Sequence, residues 1–433
     1  MTHVPSTALL TDRYELTMLQ ATLQDGTADR QSVFELFARR LPDGRRYGVV
    51  AGPGRLLDAL DNFRFGDAEI AFLRANDVVD EETLDWLADF HFSGSIWGYP
   101  EGEVYFPGSP VLILEGTFAE GVILETLFLS ILNHDSAIAS AAARMTSAAG
   151  DRPCIEMGSR RTHERAAVAS ARAAYLAGFA STSNLQAGLE YGIPTVGTSA
   201  HAFTLVHDSE RDAFQAQIES LGKGTTLLVD TYDVAEAVRT GVELAGPDLG
   251  AVRLDSGDLV QMARTVRDQL DELGATNTKI TVTSDLDEYA IQGLAVAPVD
   301  GYGVGTALVT GSGHPTCGMV YKLVARVGAD GVMAPVAKKS NEKKSVGGRK
   351  YAMRRLNARG VAQAEVLSIG GESENDGNDR PLLLQFVADG KRVYNEPLEA
   401  ARERLQESLN ELPMQALQLS KGFPAIETTY EGE

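Results

Sequence analysis

The chain has 433 residues, 44% of them apolar and 23% charged, and its 39 basic against 60 acidic side chains leave a net charge of −21. At about 150 residues per domain that length allows two or three domains, the balance is globular and argues against long disorder, and the acidity argues against nucleic-acid or anionic-membrane partners. Two cysteines, Cys154 and Cys317, far apart and in no CxxC spacing, exclude a disulfide scaffold or a cysteine zinc site and imply a reducing compartment.

The N-terminal run MTHVPSTALLTDRYELTM has neither the basic nor the apolar region of a secretory signal. Residues 1–150 mix helical runs with strand-like segments, SVFELFAR (32–39) and SPVLILEG (109–116), and read as an α/β cap domain. The most apolar stretch, 121–132, is shorter than the about 20 residues of a membrane span, so a cytoplasmic protein is expected. Residues 151–327 then alternate short apolar runs with helical patterns. Strands are expected at 154–157, around 178–181, and at 193–196, 226–229, 251–254, 279–283 and 300–304, with MVYKLVARV (319–327) available to close the series. Helices are expected over 160–177, 209–221, 233–245 and 258–273. Such alternation means βα units and a parallel sheet. From 328 to 433 come a basic segment, short strands, an exposed acidic loop (370–380) and a charged helix (397–411).

The polar residues decide which parallel architecture this is. Just past the apolar runs stand Ser159-Arg160-Arg161, Ser183-Asn184, Thr198-Ser199-Ala200-His201, Asp230-Thr231, Asp255-Ser256-Gly257-Asp258, Ser284-Asp285 and Gly303-Val304-Gly305-Thr306. Reactive groups at the carboxyl end of one strand after another define the mouth of a (β/α) barrel. A doubly wound sheet would gather them at one switch point. The span is short for eight full units, so an irregular or incomplete barrel is expected.

Arg253 and Asp255 alternate with Leu254 and so share one strand face. Together they offer a cation for phosphate or a pyridine carboxylate and a carboxylate for ribose hydroxyls or Mg²⁺; Asp258 is placed to cap the next helix. Gly303, Gly305 and Thr306 fit a phosphate cup, because glycines let backbone N–H groups approach an anion. His201 is the only histidine directly at the end of an expected barrel strand, and no HExxH, GxSxG, Walker A or GxGxxG pattern occurs where its fold context requires. Arg160 and Arg161 open an expected helix, where neighbours diverge, so at most one of them should face the mouth. Residues 338–355, KKSNEKKSVGGRKYAMRR, carry eight basic side chains in eighteen positions and read as a lid that funnels a multiply phosphorylated substrate, Lys338 and Lys339 leading it. Cys154 and Cys317 read as buried fillers.

Taken in order, TDRYELTM, EMGSRRTHE, STSNLQAGLEYGIPTVGTSAHAF, LVDTY, VRLDSGDL, TSDLDEY, GYGVGT and VYKLV resemble the nicotinate phosphoribosyltransferases. The resemblance covers most of the chain; Gly347 departs from it, standing where a proline is usual. It implies an irregular α/β barrel with an N-terminal domain, of the type II phosphoribosyltransferase kind. The reaction implied is nicotinate plus phosphoribosyl pyrophosphate giving nicotinate mononucleotide and pyrophosphate, with Mg²⁺ as cofactor and ATP hydrolysis coupled. The phosphorylatable histidine falls on His201 and the substrate arginines on Arg160 and Arg253. The ribose or metal carboxylates fall on Asp230 and Asp255, the phosphate cup on Gly303 to Thr306, and further substrate contacts on Ser284, Lys338 and Lys339. Family members are usually homodimers in which the residue at Tyr14 reaches the neighbour's site and stacks on the pyridine ring. Ser183 and Asn184 stand where related nicotinamide-using enzymes carry an aspartate, which favours the acid as substrate. A nicotinamide phosphoribosyltransferase, or a non-catalytic or isomerase barrel that binds sugar phosphates, is the alternative.

Overall fold

The computed structural model of the chain describes residues 5–338, 346–375 and 377–432. Two compact units emerge: residues 138–315, and residues 1–137 together with 316–433. The divisions expected at 150 and 327 therefore move, and the C-terminal residues belong with the N-terminal ones. The physical reason is the strand Met319–Val327. It does not close the parallel series; it pairs antiparallel with Gln31–Ala38, and the Tyr321 ring stacks on Phe34 with centroids 5.0 Å apart.

In the 138–315 unit a six-stranded, all-parallel sheet runs in the order Ser181–Thr182, Cys154–Glu156, Gly301–Val304, Lys279–Val282, Ala251–Leu254, Thr226–Leu228. Val252, Leu254, Ile280, Val282, Tyr302 and Val304 are fully buried, as strands covered by helices require. The first strand of the series, Cys154–Glu156, pairs with the last, Gly301–Val304, so the sheet curls back on itself. Closure stops there. The 193–196 segment adds only a bridge from Thr195 to Thr182, and the result is a curled half-barrel, the incomplete barrel expected. Helices Glu164–Leu176, Glu210–Leu221, Val234–Ala245 and Leu259–Glu272 follow the strands. Asp233 and Asp258 accept the N–H of Glu236 and Gln261 and so start their helices at the strand ends.

The other unit holds a seven-stranded sheet in the order Met333–Pro335, Met319–Val327, Gln31–Ala38, Leu112–Thr117, Ser95–Gly98, Leu384–Ala388, Lys391–Arg392, together with a four-stranded and a two-stranded sheet. The basic segment is largely absorbed here. Lys350–Leu356 is a strand, with Lys350 buried on Glu35 (2.7 Å) and Arg354 buried on Glu365 (3.1 Å). Arg349 pairs with Glu115 and Arg355 with Asp379. A lid extending to 355 is thus corrected: its last four cations hold the fold together. Lys338 is exposed, while Lys339 lies outside the described residues. The apolar run also exceeds the 121–132 read from the sequence. Residues 118–149 include a window long and apolar enough to cross a membrane, but 67% of it is buried inside the protein, as in a core helix. Cys154 and Cys317 are free and buried, as expected of fillers.

Candidate active site

At the carboxyl ends of the parallel strands lies a cavity of about 270 Å³, lined by Met157, Arg160, Arg161, Arg253, Asp255, Thr283, Ser284, Asp285, Gly303, Gly305 and Thr306. Nine residues singled out in the sequence meet here: Arg160, Arg161, Arg253, Asp255, Ser284, Asp285, Gly303, Gly305 and Thr306.

Parallel pairing explains the gathering. Thr281 is level with Arg253 and Val282 with Leu254, so Thr283 continues beside Asp255 and its hydroxyl donates to Asp255 Oδ1. Arg253 is held by its own fork: Nη1 donates to the Thr198 hydroxyl and Nη2 to the Ser199 carbonyl, each at 2.9 Å. Burial holds its guanidinium below the ordinary value, opposed by Asp255 and Asp230; an arginine remains charged regardless. Thr198 was among the polar residues read past the 193–196 run, but Thr283 was not singled out in the sequence. The level of Thr283 beside Asp255 in two aligned strands was the signal available for it.

Both neighbouring arginines line the cavity, against the expectation that at most one would. Ser159–Arg161 forms a 3₁₀ turn, and the α-helix begins only at Glu164, with the His163 imidazole accepting the Arg165 N–H. In a turn this short the two side chains are not committed to an α-helical divergence. Ser183 and Asn184 do not line the cavity. Asn184 instead ties to the arginine turn, its amide donating to the Ser159 hydroxyl at 2.9 Å, while the Ser183 N–H donates to the Glu156 carbonyl.

On the Asp255 side stands His201, first residue of the short helix His201–Leu205. Its Nδ1 is 3.1 Å from the Thr231 hydroxyl, and its Nε2 is 3.9 Å from both Asp230 Oδ1 and Asp255 Oδ2. Asp230 is 3% exposed at its side chain. One of its oxygens organises the next loop by accepting the Asp255 N–H (2.9 Å) and the Ser256 hydroxyl (2.7 Å); the other, Oδ1, has no hydrogen-bond partner among the described residues. An orphaned buried carboxylate oxygen is costly unless a cation or donor meets it. With Asp255 beside it, the pair fits Mg²⁺, which typically takes one or two carboxylates and fills its shell with water and substrate phosphate. Among the described residues no group of three or more His, Cys, Asp or Glu side chains forms a metal cage.

The glycine cup is built tightly. A Cβ on Gly303 would stand 2.5 Å from Thr283 Cγ2 and 2.7 Å from Met157 Sδ, so only glycine fits that floor. Ser284, at the mouth, has φ 136°, a backbone conformation that side chains rarely adopt; such strain, of order 1–3 kcal/mol, concentrates at functional sites. Tyr14 and Lys338 belong to the other unit. Tyr14, in helix Arg13–Asp25, is 46% exposed, and burial together with Glu125 pushes its phenol up to about 12.

The nicotinate phosphoribosyltransferase N-terminal domain family matches residues 9–133, and the nicotinate phosphoribosyltransferase family matches residues 153–353. The nicotinate phosphoribosyltransferase pncB1 of Mycobacterium tuberculosis is 58% identical over 97% of this chain and 94% of its own length. The pncB2 protein of the same organism is 41% identical over 94% of this chain and 88% of its own. The crystal structure of human nicotinic acid phosphoribosyltransferase superposes with a TM-score of 0.84 at 26% identity, covering 97% of this chain and 98% of the human one. The chain belongs to the nicotinate phosphoribosyltransferase family.

Proposed function

We propose that the chain transfers the phosphoribosyl group of phosphoribosyl pyrophosphate to the ring nitrogen of nicotinate, yielding nicotinate mononucleotide and pyrophosphate for NAD synthesis. The observation that carries this is one cavity holding three arginines, two aspartates and a glycine cup, in a chain 58% identical to a nicotinate phosphoribosyltransferase. Homologues 58% and 41% identical carry the nicotinate name, so neither a nicotinamide enzyme nor a sugar-phosphate isomerase is favoured.

Departure of pyrophosphate from C1 leaves an oxocarbenium-like ribose, so no protein nucleophile at carbon is needed. The protein must hold the ring nitrogen in line, neutralise the leaving group and exclude water. In this reading Arg253, its fork held by Thr198 and Ser199, binds the pyridine carboxylate; Arg160 and Arg161 serve the phosphates; Asp255, braced by Thr283, takes the ribose hydroxyls or the metal. When bound, Mg²⁺ held by Asp230 and Asp255 screens the pyrophosphate charge.

Three further assignments complete the reading. His201 accepts the γ-phosphoryl group of ATP: the N–P bond forms as the γ-phosphorus–oxygen bond to ADP breaks, and water later releases phosphate. Phosphohistidine adds charge and acceptors beside the pyrophosphate site and favours the substrate-loaded state. The enzyme is a homodimer in which Tyr14 of one subunit stacks on the pyridine ring in the other. Two buried free cysteines suit a reducing, cytoplasmic setting.

Product analysis tests the assignment. Nicotinate and phosphoribosyl pyrophosphate should yield nicotinate mononucleotide and pyrophosphate, faster with ATP; absence of the nucleotide in either condition contradicts it.

A further inference from the structure

We propose that Glu156 is a positioning residue for the reaction, its carboxylate fixing the Arg160–Arg161 turn against the neighbouring loops so that both arginines meet the anionic substrate. The inference rests on the reading of the cavity given above and adds to it a residue that touches no substrate.

Glu156 ends the strand Cys154–Glu156 and its side chain is fully buried. Among the described residues it makes no ion pair, although arginines line the cavity nearby. Its two carboxylate oxygens instead serve two loops. One accepts the Gly158 N–H at 2.5 Å, at the entry of the arginine turn; the other accepts the Thr182 hydroxyl, at the end of the next strand. Its backbone carbonyl accepts the Ser183 N–H at 2.8 Å. A third loop is fixed by contact. A Cβ on Gly158 would stand 2.2 Å from Val309 Cγ1, 3.1 Å from Glu156 Oε1 and 3.2 Å from the Gly305 carbonyl, so the turn is wedged between the carboxylate and the glycine cup.

This matters because, among the described residues, the turn has few other ties: its own Arg161 N–H to the Gly158 carbonyl (2.8 Å) and the Asn184 amide to the Ser159 hydroxyl (2.9 Å). Ser159–Arg161 is a single 3₁₀ turn, and both arginine side chains are exposed on long stems. A guanidinium selects an anion by direction as well as charge, and a displacement of about 1 Å at such a group costs on the order of a hundredfold in rate. A carboxyl group buried without a cation is costly in itself, so a mere filler of this space has no reason to be an acid. Burial pushes the Glu156 carboxyl above its ordinary value, with Thr182 and Gly158 opposing. A planar acceptor reaching both loops at once is what the geometry uses.

Three variants of the full chain test this. Glu156→Ala removes both contacts. Glu156→Gln keeps them, since the amide oxygen accepts from Gly158 and the amide N–H₂ donates to Thr182. Thr182→Val removes one. Expected for Glu156→Ala is a rise of about tenfold or more in KM for phosphoribosyl pyrophosphate, with a matching loss of affinity for inorganic pyrophosphate by calorimetry and a smaller change in kcat. Glu156→Gln should restore both to within about twofold of wild type, and Thr182→Val should fall between. An unchanged KM in Glu156→Ala, a Gln variant as impaired as Ala, or losses that track only the folded fraction would each overturn the proposal. Should Glu156→Ala fail to fold, an unchanged KM in Thr182→Val overturns it equally. A wild-type enzyme that neither forms nicotinate mononucleotide nor binds pyrophosphate would instead overturn the functional reading, and the inference with it.

Discussion

The Nε2 atom of His201 lies 3.9 Å from Oδ1 of Asp230, a buried carboxylate oxygen with no hydrogen-bond partner among the described residues. The other oxygen of Asp230 is committed to the loop that presents Asp255. One aspartate thus both shapes the neighbouring loop and leaves a negative atom facing the imidazole. His201→Ala should abolish ATPase activity and acid-labile labelling from γ-labelled ATP while keeping uncoupled transfer. Undiminished labelling moves the acceptor elsewhere; complete loss of transfer in a folded variant gives His201 a direct part in glycosyl transfer.

Arg253 is oriented by two hydrogen bonds that a lysine cannot reproduce, because an ammonium lacks the planar fork. Arg253→Lys should raise KM for nicotinate by about tenfold to a hundredfold, the range of a lost charge-assisted hydrogen bond, with little change in melting temperature. A KM within twofold of wild type would remove Arg253 from carboxylate recognition.

The composite dimer predicts complementation. Tyr14→Ala and Arg253→Ala proteins, each inactive alone, should regain part of the wild-type rate when mixed and allowed to exchange subunits, because hybrid dimers contain one intact site. No regain despite demonstrated exchange, or a fully active monomer, contradicts the assignment of Tyr14.

Glu15 supplies a pH dependence of stability. It is buried in the N-terminal helix, accepting from Thr11 and from the Thr126 N–H and hydroxyl. Burial pushes its carboxyl up from 4.5 to about 7, those hydrogen bonds opposing. The folded state therefore holds the proton more tightly than the unfolded one. The stability this contributes is full below 4.5 and is lost as pH rises through about 7. Glu15→Gln should flatten that loss, its melting temperature gaining a few degrees on wild type between about pH 5 and about pH 8. Parallel curves for the two proteins would refute it.

Much of the catalytic unit was legible because its signals are local. The alternation in Ala251–Leu254 put Arg253 and Asp255 on one face, and both reach the cavity. What was not legible depends on partners remote in sequence. MVYKLVARV has the pattern of a strand but carries no mark of which strand it joins, and it joins Gln31–Ala38. Lys350 and Arg354 read as part of a solvated basic run because their carboxylates, Glu35 and Glu365, cannot be matched to them by spacing. The arginine turn escaped for a smaller reason: His163 caps the helix four residues later than the alanine pattern suggested.

The central claim is recognition of an anionic pyridine by the arginine-lined cavity. Its most direct test is competition: wild-type enzyme with phosphoribosyl pyrophosphate and equal nicotinate and nicotinamide in one vessel, both mononucleotides followed over time. A half-buried guanidinium that pairs with the carboxylate and has no such partner on the amide predicts a kcat/KM ratio of about a hundredfold or more in favour of nicotinate. Equal formation of the two nucleotides, or an excess of the nicotinamide product, would contradict the account.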